Sequence, residues 1–205
     1  MEPEIAELAP FPVAISVARV QRGPGLLTKA DLPGYKANAR AAARTLIESR
    51  PSTVFYGCTA AGFLSGPDVD TAFTAELSEL FGVPVLSTAR AMVEILLREQ
   101  VNAVDVVSPY SAEVNEALSA FLADAGIAVE RITSLSATDV QALGRLTAED
   151  VYAAAARRPS AGAQALFIAC SQLPTAGILA SLRSELGIPV WSSIAATAEL
   201  GFARA

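Results

Sequence analysis

The stretch Val54-Phe55-Tyr56-Gly57-Cys58-Thr59 is echoed later in the chain by Leu166-Phe167-Ile168-Ala169-Cys170-Ser171. Each copy is an apolar run closed by a cysteine and then a hydroxyl residue. Each also leads, through a helix-like stretch, into a second matched phrase. In the first half this is Ser78-Glu79-Leu80-Phe81-Gly82-Val83-Pro84-Val85-Leu86-Ser87-Thr88, and in the second it is Ser184-Glu185-Leu186-Gly187-Ile188-Pro189-Val190-Trp191-Ser192-Ser193. The 205 residues contain no other cysteine. An internal duplication of this kind builds two like domains about a pseudo-twofold axis, which predicts that the two thiols face one another across the cleft between them.

Around the repeat, short β-branched runs alternate with helical stretches. Strands are predicted at Val13 to Val20, Thr53 to Gly57 and Val83 to Leu86, then near Ala103 to Val107, Val129 to Thr133, Ala165 to Ala169 and Val190 to Trp191. Helices are predicted at Tyr35 to Glu48, Val69 to Leu80 and Ala89 to Arg98. Further helices are predicted near Ala112 to Ala125, Thr147 to Arg157, Ala176 to Leu186 and Ile194 to Phe202. Strands separated by helices of this length imply parallel sheets with right-handed crossovers. The expected class is α/β: two pseudosymmetric doubly wound parallel-sheet domains with the active site in the cleft between them. Residues 1–98 form the expected N-terminal half, carrying Cys58, and residues 99–192 the C-terminal half, carrying Cys170. The C-terminal helix, at 193–205, is expected to pack back on the first half.

Composition removes several functions. A chain that is 52% hydrophobic and 18% charged reads as folded rather than disordered. No apolar run approaches the ~18 residues of a membrane span, and Met1-Glu2-Pro3-Glu4 lacks the basic start of a secretory signal. A cytoplasmic protein without a membrane partner is expected. The net charge is −6 and no Lys/Arg-rich run occurs, which argues against a nucleic-acid partner. There is no histidine, so His-dependent triads are excluded, and two cysteines alone do not make the usual four-ligand zinc site. Neither a G-x-G-x-x-G nor a G-x-x-x-x-G-K-[ST] loop is present. In a cytoplasmic setting the cysteines read as thiols rather than a disulfide.

In doubly wound sheets, ligands sit beyond the carboxyl ends of the strands, where successive helices begin. Both cysteines lie at that place. The residues after them, Thr59-Ala60-Ala61-Gly62 and Ser171-Gln172-Leu173-Pro174, offer backbone N–H groups to an anion and small side chains that permit close approach. A carboxylate is therefore expected to bind without an arginine. The field of a helix N-terminus also favours the thiolate, the nucleophilic form of cysteine.

The phrase from Phe55 to Pro67, the segment Ser108-Pro109-Tyr110-Ser111-Ala112-Glu113-Val114-Asn115 and the phrase from Phe167 to Thr175 resemble the aspartate/glutamate racemase superfamily. The resemblance runs over nearly the whole chain and is to the maleate cis-trans isomerase and arylmalonate decarboxylase branch. It implies two α/β domains closing over a small mono- or dicarboxylic acid, no cofactor, no metal, and paired cysteines acting on opposite faces of the substrate carbon. The decarboxylase branch keeps the second cysteine alone, so the presence of both Cys58 and Cys170 favours an isomerase or racemase. By the same resemblance, Cys58 is the thiolate that adds to an alkene carbon or abstracts an α-proton. Cys170 is the thiol that gives or takes a proton on the other face. Thr59 and Ala60 donate to a substrate carboxylate with help from the Tyr110 hydroxyl, and Ser171 and Gln172 serve the other end. A decarboxylase, or an inactive carboxylate-binding homologue, is the alternative, and self-association stays open.

The sequence departs from that pattern in three places. Ser171-Gln172 stands where the family has Thr-Asn, and Val140 follows Thr138-Asp139 where an asparagine is common. The repeat itself shows the third departure. The second half opens with a strand at Ala103 to Val107, a Pro109-Tyr110 loop and a helix near Glu113, whereas the first half opens directly on the segment that matches the helix, Met1 to Leu8. The first strand of the N-terminal half is thus expected to be missing, with unpaired sheet edges, as in a truncated start. Blander readings accompany the sharper ones. Thr59 and Ser171 suit plain helix N-caps, Glu113 and Asn115 solvated first-turn positions, and Trp191 and Tyr56 core packing.

Overall fold

The computed structural model describes residues 1–203. The larger of its two sheets contains β3 (Ala103–Ser108), β4 (Ala128–Ser134), β5 (Ala165–Ile168) and β6 (Val190–Ser192), all parallel, in the order β4-β3-β5-β6. The smaller pairs β1 (Val54–Tyr56) with β2 (Val85–Ser87), also in parallel. In the larger sheet β3 is an inner strand, paired with β4 on one side, with a register shift between Val104 and Asp105, and with β5 on the other. Every residue of β5 is buried, which is what a parallel sheet covered on both faces requires. The helices are α1 (Glu2–Glu7), α2 (Leu32–Arg44), α3 (Thr59–Ser65), α4 (Pro67–Phe81) and α5 (Thr88–Arg98) in the first half of the chain. They are followed by α6 (Ala112–Asp124), α7 (Val140–Arg145), α8 (Ala148–Ala155), α9 (Leu179–Leu186) and α10 (Ser193–Phe202).

The second matched phrase is a piece of local physics used twice. Helix α4 stops at Gly82 (φ +69°) and α9 at Gly187 (φ +66°), both in the left-handed conformation that closes a helix without a Cβ clash. The chain then turns through Pro84 or Pro189 into β2 or β6. Ser87 and Ser192 end those strands and cap the next helices, accepting from the Arg90 and Ala195 N–H groups. The helices so started, α5 and α10, pack on each other, with Met92, Ile95, Leu96 and Ile194 wholly buried. Residues 204 and 205, part of the range 193–205, lie outside the described residues.

One predicted strand does not form. Val13 to Val20 alternates as a strand should, yet it belongs to an irregular segment between α1 and α2. Extended backbone becomes a strand through ladder bonds to a neighbour, and β1 pairs with β2 alone. A cavity of about 790 Å³ has both residues 13–20 and residues 53–57 in its wall. In the larger sheet the corresponding place, between β4 and β5, is filled by β3. Phe11, Ile15 and Val17 are 49%, 40% and 47% exposed, so the alternation here buries little.

Candidate functional site

Cys58 and Cys170 line the same cavity, both as free thiols. Cys58 follows β1 and is the N-cap residue of α3, half-buried, with extended backbone (φ −129°, ψ 96°). The Gly62 N–H donates to the Cys58 carbonyl at 3.3 Å, so the first-turn N–H groups of Thr59 and Ala60 have no acceptor in the helix ladder. Cys170 follows β5 but is not capped by a helix. Pro174 disfavours helical backbone at Leu173 and supplies no N–H of its own, and residues 171–175 form a turn before α9. This corrects the expectation of a helix N-terminus at both thiols.

A tyrosine stands at each sulfur. The Tyr110 hydroxyl is within hydrogen-bonding reach of Cys170, and the Tyr35 hydroxyl is within reach of Cys58. Burial pushes the Cys170 thiol above its ordinary range. The Gln172 N–H, donating to Sγ at 3.4 Å, and the Tyr110 hydroxyl work against that shift without reversing it. Cys170 is therefore a protonated thiol at neutral pH. Both phenols are also held above the ordinary tyrosine range, first by burial and then by the negative charge that the sulfurs can carry. They remain donors.

The loop that carries Tyr110 is pinned from several sides. The Asn115 amide donates to the Tyr110 carbonyl at 3.1 Å and accepts from the Ser108 hydroxyl at 2.6 Å, and Ser134 donates to the same carbonyl at 2.6 Å. Asn115 is 7% exposed, not the solvated first-turn residue that its position suggested. On α1, the Glu4 carboxylate accepts from the Thr175 and Ala176 N–H groups at 2.6 Å each. Each of these helices thus ties down a loop beside the cavity.

The predicted site residues come together, with altered jobs for some side chains. Thr59, Ala60, Tyr110, Ser171 and Gln172 all line the cavity. The Thr59 hydroxyl is instead bonded to the hydroxyls of Thr88 (3.1 Å) and Ser193 (3.0 Å), in a buried cluster where α3 meets α5 and α10. The Ser171 hydroxyl donates to the Gly57 carbonyl at 2.6 Å and stitches one cysteine loop to the other. The Gln172 side chain accepts from Arg22 Nη2 at 2.9 Å, across 150 positions of sequence. Sequence reasoning missed Arg22 and Tyr35. Neither lies in a repeated phrase, and the one usable signal was Tyr35 at the apolar start of a predicted helix. Among the described residues no three of Cys, Asp and Glu gather where they could share a metal ion. None of the described helices is long and apolar enough to cross a membrane.

A profile of the family described as arylmalonate decarboxylase matches residues 26–202. A maleate isomerase from Nocardia farcinica is 28% identical over 159 residues, covering 75% of this chain and 63% of the relative. An arylmalonate decarboxylase from Bordetella bronchiseptica is 28% identical over 153 residues, covering 74% and 64%. The chain thus spans under two thirds of the length of either relative. Among solved structures, a mutant Nocardia farcinica maleate cis-trans isomerase with a covalently bound succinylcysteine intermediate superposes with a TM-score of 0.86. That match is 23% identical and covers 96% of this chain and 82% of the other. It shows the shared two-domain α/β fold.

Proposed function

Because the chain belongs to the arylmalonate decarboxylase family, in the maleate cis-trans isomerase and arylmalonate decarboxylase branch of the aspartate/glutamate racemase superfamily, we propose that it is an isomerase of a small unsaturated carboxylic acid. In this reading it works without a cofactor or metal and uses both cysteines. The observation that carries the reading is that Cys58 and Cys170 line one cavity, each with a tyrosine hydroxyl at its sulfur. Residues 1–98 and 99–192 are the halves that bring them together.

The proposed reaction leaves no net change in atoms or electrons. The Cys58 thiolate attacks one alkene carbon; the new S–C bond takes the sulfur lone pair, and the π pair moves onto the neighbouring carbon, conjugated with its carboxylate. Tyr35, at the same sulfur, steadies the thiolate before attack. Cys170, protonated and buried, gives its proton to the carbanionic carbon from the other side. The former double bond is now single and rotates. Return of the proton to Cys170 and departure of Cys58 restore the alkene in its other geometry. Backbone N–H groups of Thr59, Ala60 and Ser171, with Tyr110, hold carboxylate oxygens during the charge build-up. The succinylcysteine in the Nocardia farcinica relative is an adduct of this kind and supports the assignment by likeness.

The second reading is decarboxylation of a malonate, favoured by the family profile and the Bordetella bronchiseptica relative. Incubation with maleate, phenylmalonate, aspartate and glutamate in D2O, followed by NMR, separates the reactions. Fumarate formation lost in both Cys58→Gly and Cys170→Ser is the expected result. Product from phenylmalonate that survives Cys58→Gly selects the decarboxylase. Full isomerase activity in Cys170→Ser rejects the paired-thiol scheme.

A further inference from the structure

We propose that Glu4 is a positioning residue for Cys170, holding from the first half of the chain the turn that aims a backbone N–H at the Cys170 sulfur. The inference rests on Cys170 being a working thiol of the site and names what keeps it in place. Glu4 lies on α1, and its Oε1 accepts from both the Thr175 and the Ala176 N–H groups, across 171 and 172 positions of sequence. Those donors open a short 3₁₀ turn, Ala176–Ile178, ahead of α9, and the Thr175 side chain does not cap it. Thr175 is 1% exposed, and its hydroxyl lies 2.9 Å from that of Ser192, the cap of α10. The helix that carries Glu4 is itself seated, because Ile5, 4% exposed, packs on Ile194 and Ala198 of α10.

The turn from Ser171 to Ala176 is thus anchored to the first half at both ends. At its start the Ser171 hydroxyl donates to the Gly57 carbonyl, and at its end stands Glu4. Between the anchors the Gln172 N–H donates to Cys170 Sγ at 3.4 Å and the Leu173 N–H to the Cys170 carbonyl at 3.3 Å. Pro174 has no N–H, so the turn has one donor fewer with which to fix its own shape. Burial raises the Cys170 thiol, and the Gln172 N–H, the Tyr110 hydroxyl and the Leu173 N–H oppose that rise. A hydrogen bond weakens steeply as its donor turns aside, so the aim of the Gln172 N–H depends on how firmly the turn is held. A carboxylate is a stronger acceptor than a neutral oxygen, and one oxygen shared by two successive N–H groups fixes the direction of the chain as well as its distance. Removing it leaves the buried Thr175 donor unsatisfied and frees the turn to move.

The test reads the thiol first and turnover second. Alkylation of Cys170 by iodoacetamide as a function of pH, followed by peptide mass spectrometry, gives the midpoint of its titration in the unchanged protein, Glu4→Ala, Glu4→Gln and Glu7→Ala. Glu7 is exposed on the same helix, so Glu7→Ala removes the same charge without touching the turn. The titratable groups that act on the sulfur, Tyr110 and Cys58, are the same in all four proteins. Glu4→Ala is expected to move the midpoint upward, because the thiolate loses an N–H donor while burial remains. Glu4→Gln, whose amide oxygen accepts the same N–H groups more weakly, moves it less, and Glu7→Ala leaves it in place. With maleate as substrate, kcat of Glu4→Ala is expected to fall about 10- to 100-fold with KM little changed. Thermal unfolding of each variant checks that the fold is kept. An unchanged or lowered midpoint in folded Glu4→Ala overturns the inference, as does an equal upward shift in Glu7→Ala. Where Glu4→Ala does not fold, an unchanged midpoint in Glu4→Gln overturns it. Absence of maleate turnover in the unchanged protein rejects the isomerase reading instead, and the midpoint comparison still decides the role of Glu4.

Discussion

At the scale of single residues, the two cysteines are chemically unlike although their sequence settings match. Cys170 is 5% exposed and its thiol is held above the ordinary range by burial, while Cys58 is half-buried at the cavity wall. The difference comes from the chain behind each residue, a fully buried β5 in one case and a two-stranded sheet in the other. It has a consequence for stability. The unfolded chain releases the Cys170, Tyr35, Tyr56 and Tyr110 protons at lower pH than the folded one, because burial raises all four in the native state. The stability gained by burying these groups neutral is intact below the ordinary thiol range, about pH 8.5, and falls as pH rises through it and through the tyrosine range near 10. Denaturant unfolding at pH 7 and pH 10 should show that loss, with a smaller loss in Cys170→Ala. A separate expectation concerns Tyr110. If its hydroxyl bonds the Cys170 sulfur or a bound carboxylate, Tyr110→Phe should lower kcat/KM by the equivalent of about 1 to 3 kcal/mol. Unchanged kcat/KM would remove Tyr110 from the site.

At the scale of elements, α3 sets the position of Cys58 and depends on a very close approach to α5. A Cβ on Gly62 would lie 2.4 Å from the Ala89 Cβ and 2.9 Å from the Asp70 carboxylate, and neither a methyl on a helix nor a buried carboxylate bonded to Ser87 can move aside cheaply. Gly62→Ala should therefore destabilise the protein by about 1 to 3 kcal/mol, the usual range for overpacking. It should also reduce activity more than binding, because α3 carries the Thr59 and Ala60 N–H groups. Melting curves and kcat measured on the same variant check both parts. The matched Gly-x-Pro phrases behaved as the repeat suggested, since a left-handed stop, a strand and a serine cap are local structures. The alternating run from Val13 to Val20 did not, because a strand requires a second strand and nothing in its own sequence supplies one.

At the scale of the whole molecule, the two sheets differ by the place that β3 occupies in one and a cavity in the other. The free edge of β1 and residues 13–20 both border that space. Fusing a copy of residues 103–111, a strand with its Pro-Tyr loop, ahead of Met1 should let an inner strand enter between them. The added ladder bonds and buried apolar surface should raise the melting temperature, on the order of 2 to 4 °C for each kcal/mol gained in a chain of this size. Differential scanning calorimetry on the fused and unfused chains makes the comparison. An unchanged or lowered midpoint means that residues 13–20 already close the sheet as far as it closes.

The sequence by itself determined the α/β class, the order of strands and helices around the repeat, and the presence of both thiols at strand ends. These follow from periodicity, glycine stops and serine caps, which act over a few residues. Tertiary structure decided the rest of the site. Arg22 meets Gln172 across 150 positions, and Ser171 meets Gly57 across 114. Asn115 is buried because the Ser108 and Tyr110 loop folds back over it. Such contacts depend on how two distant segments are placed in space, and pairing of that range leaves no periodic trace in either segment alone.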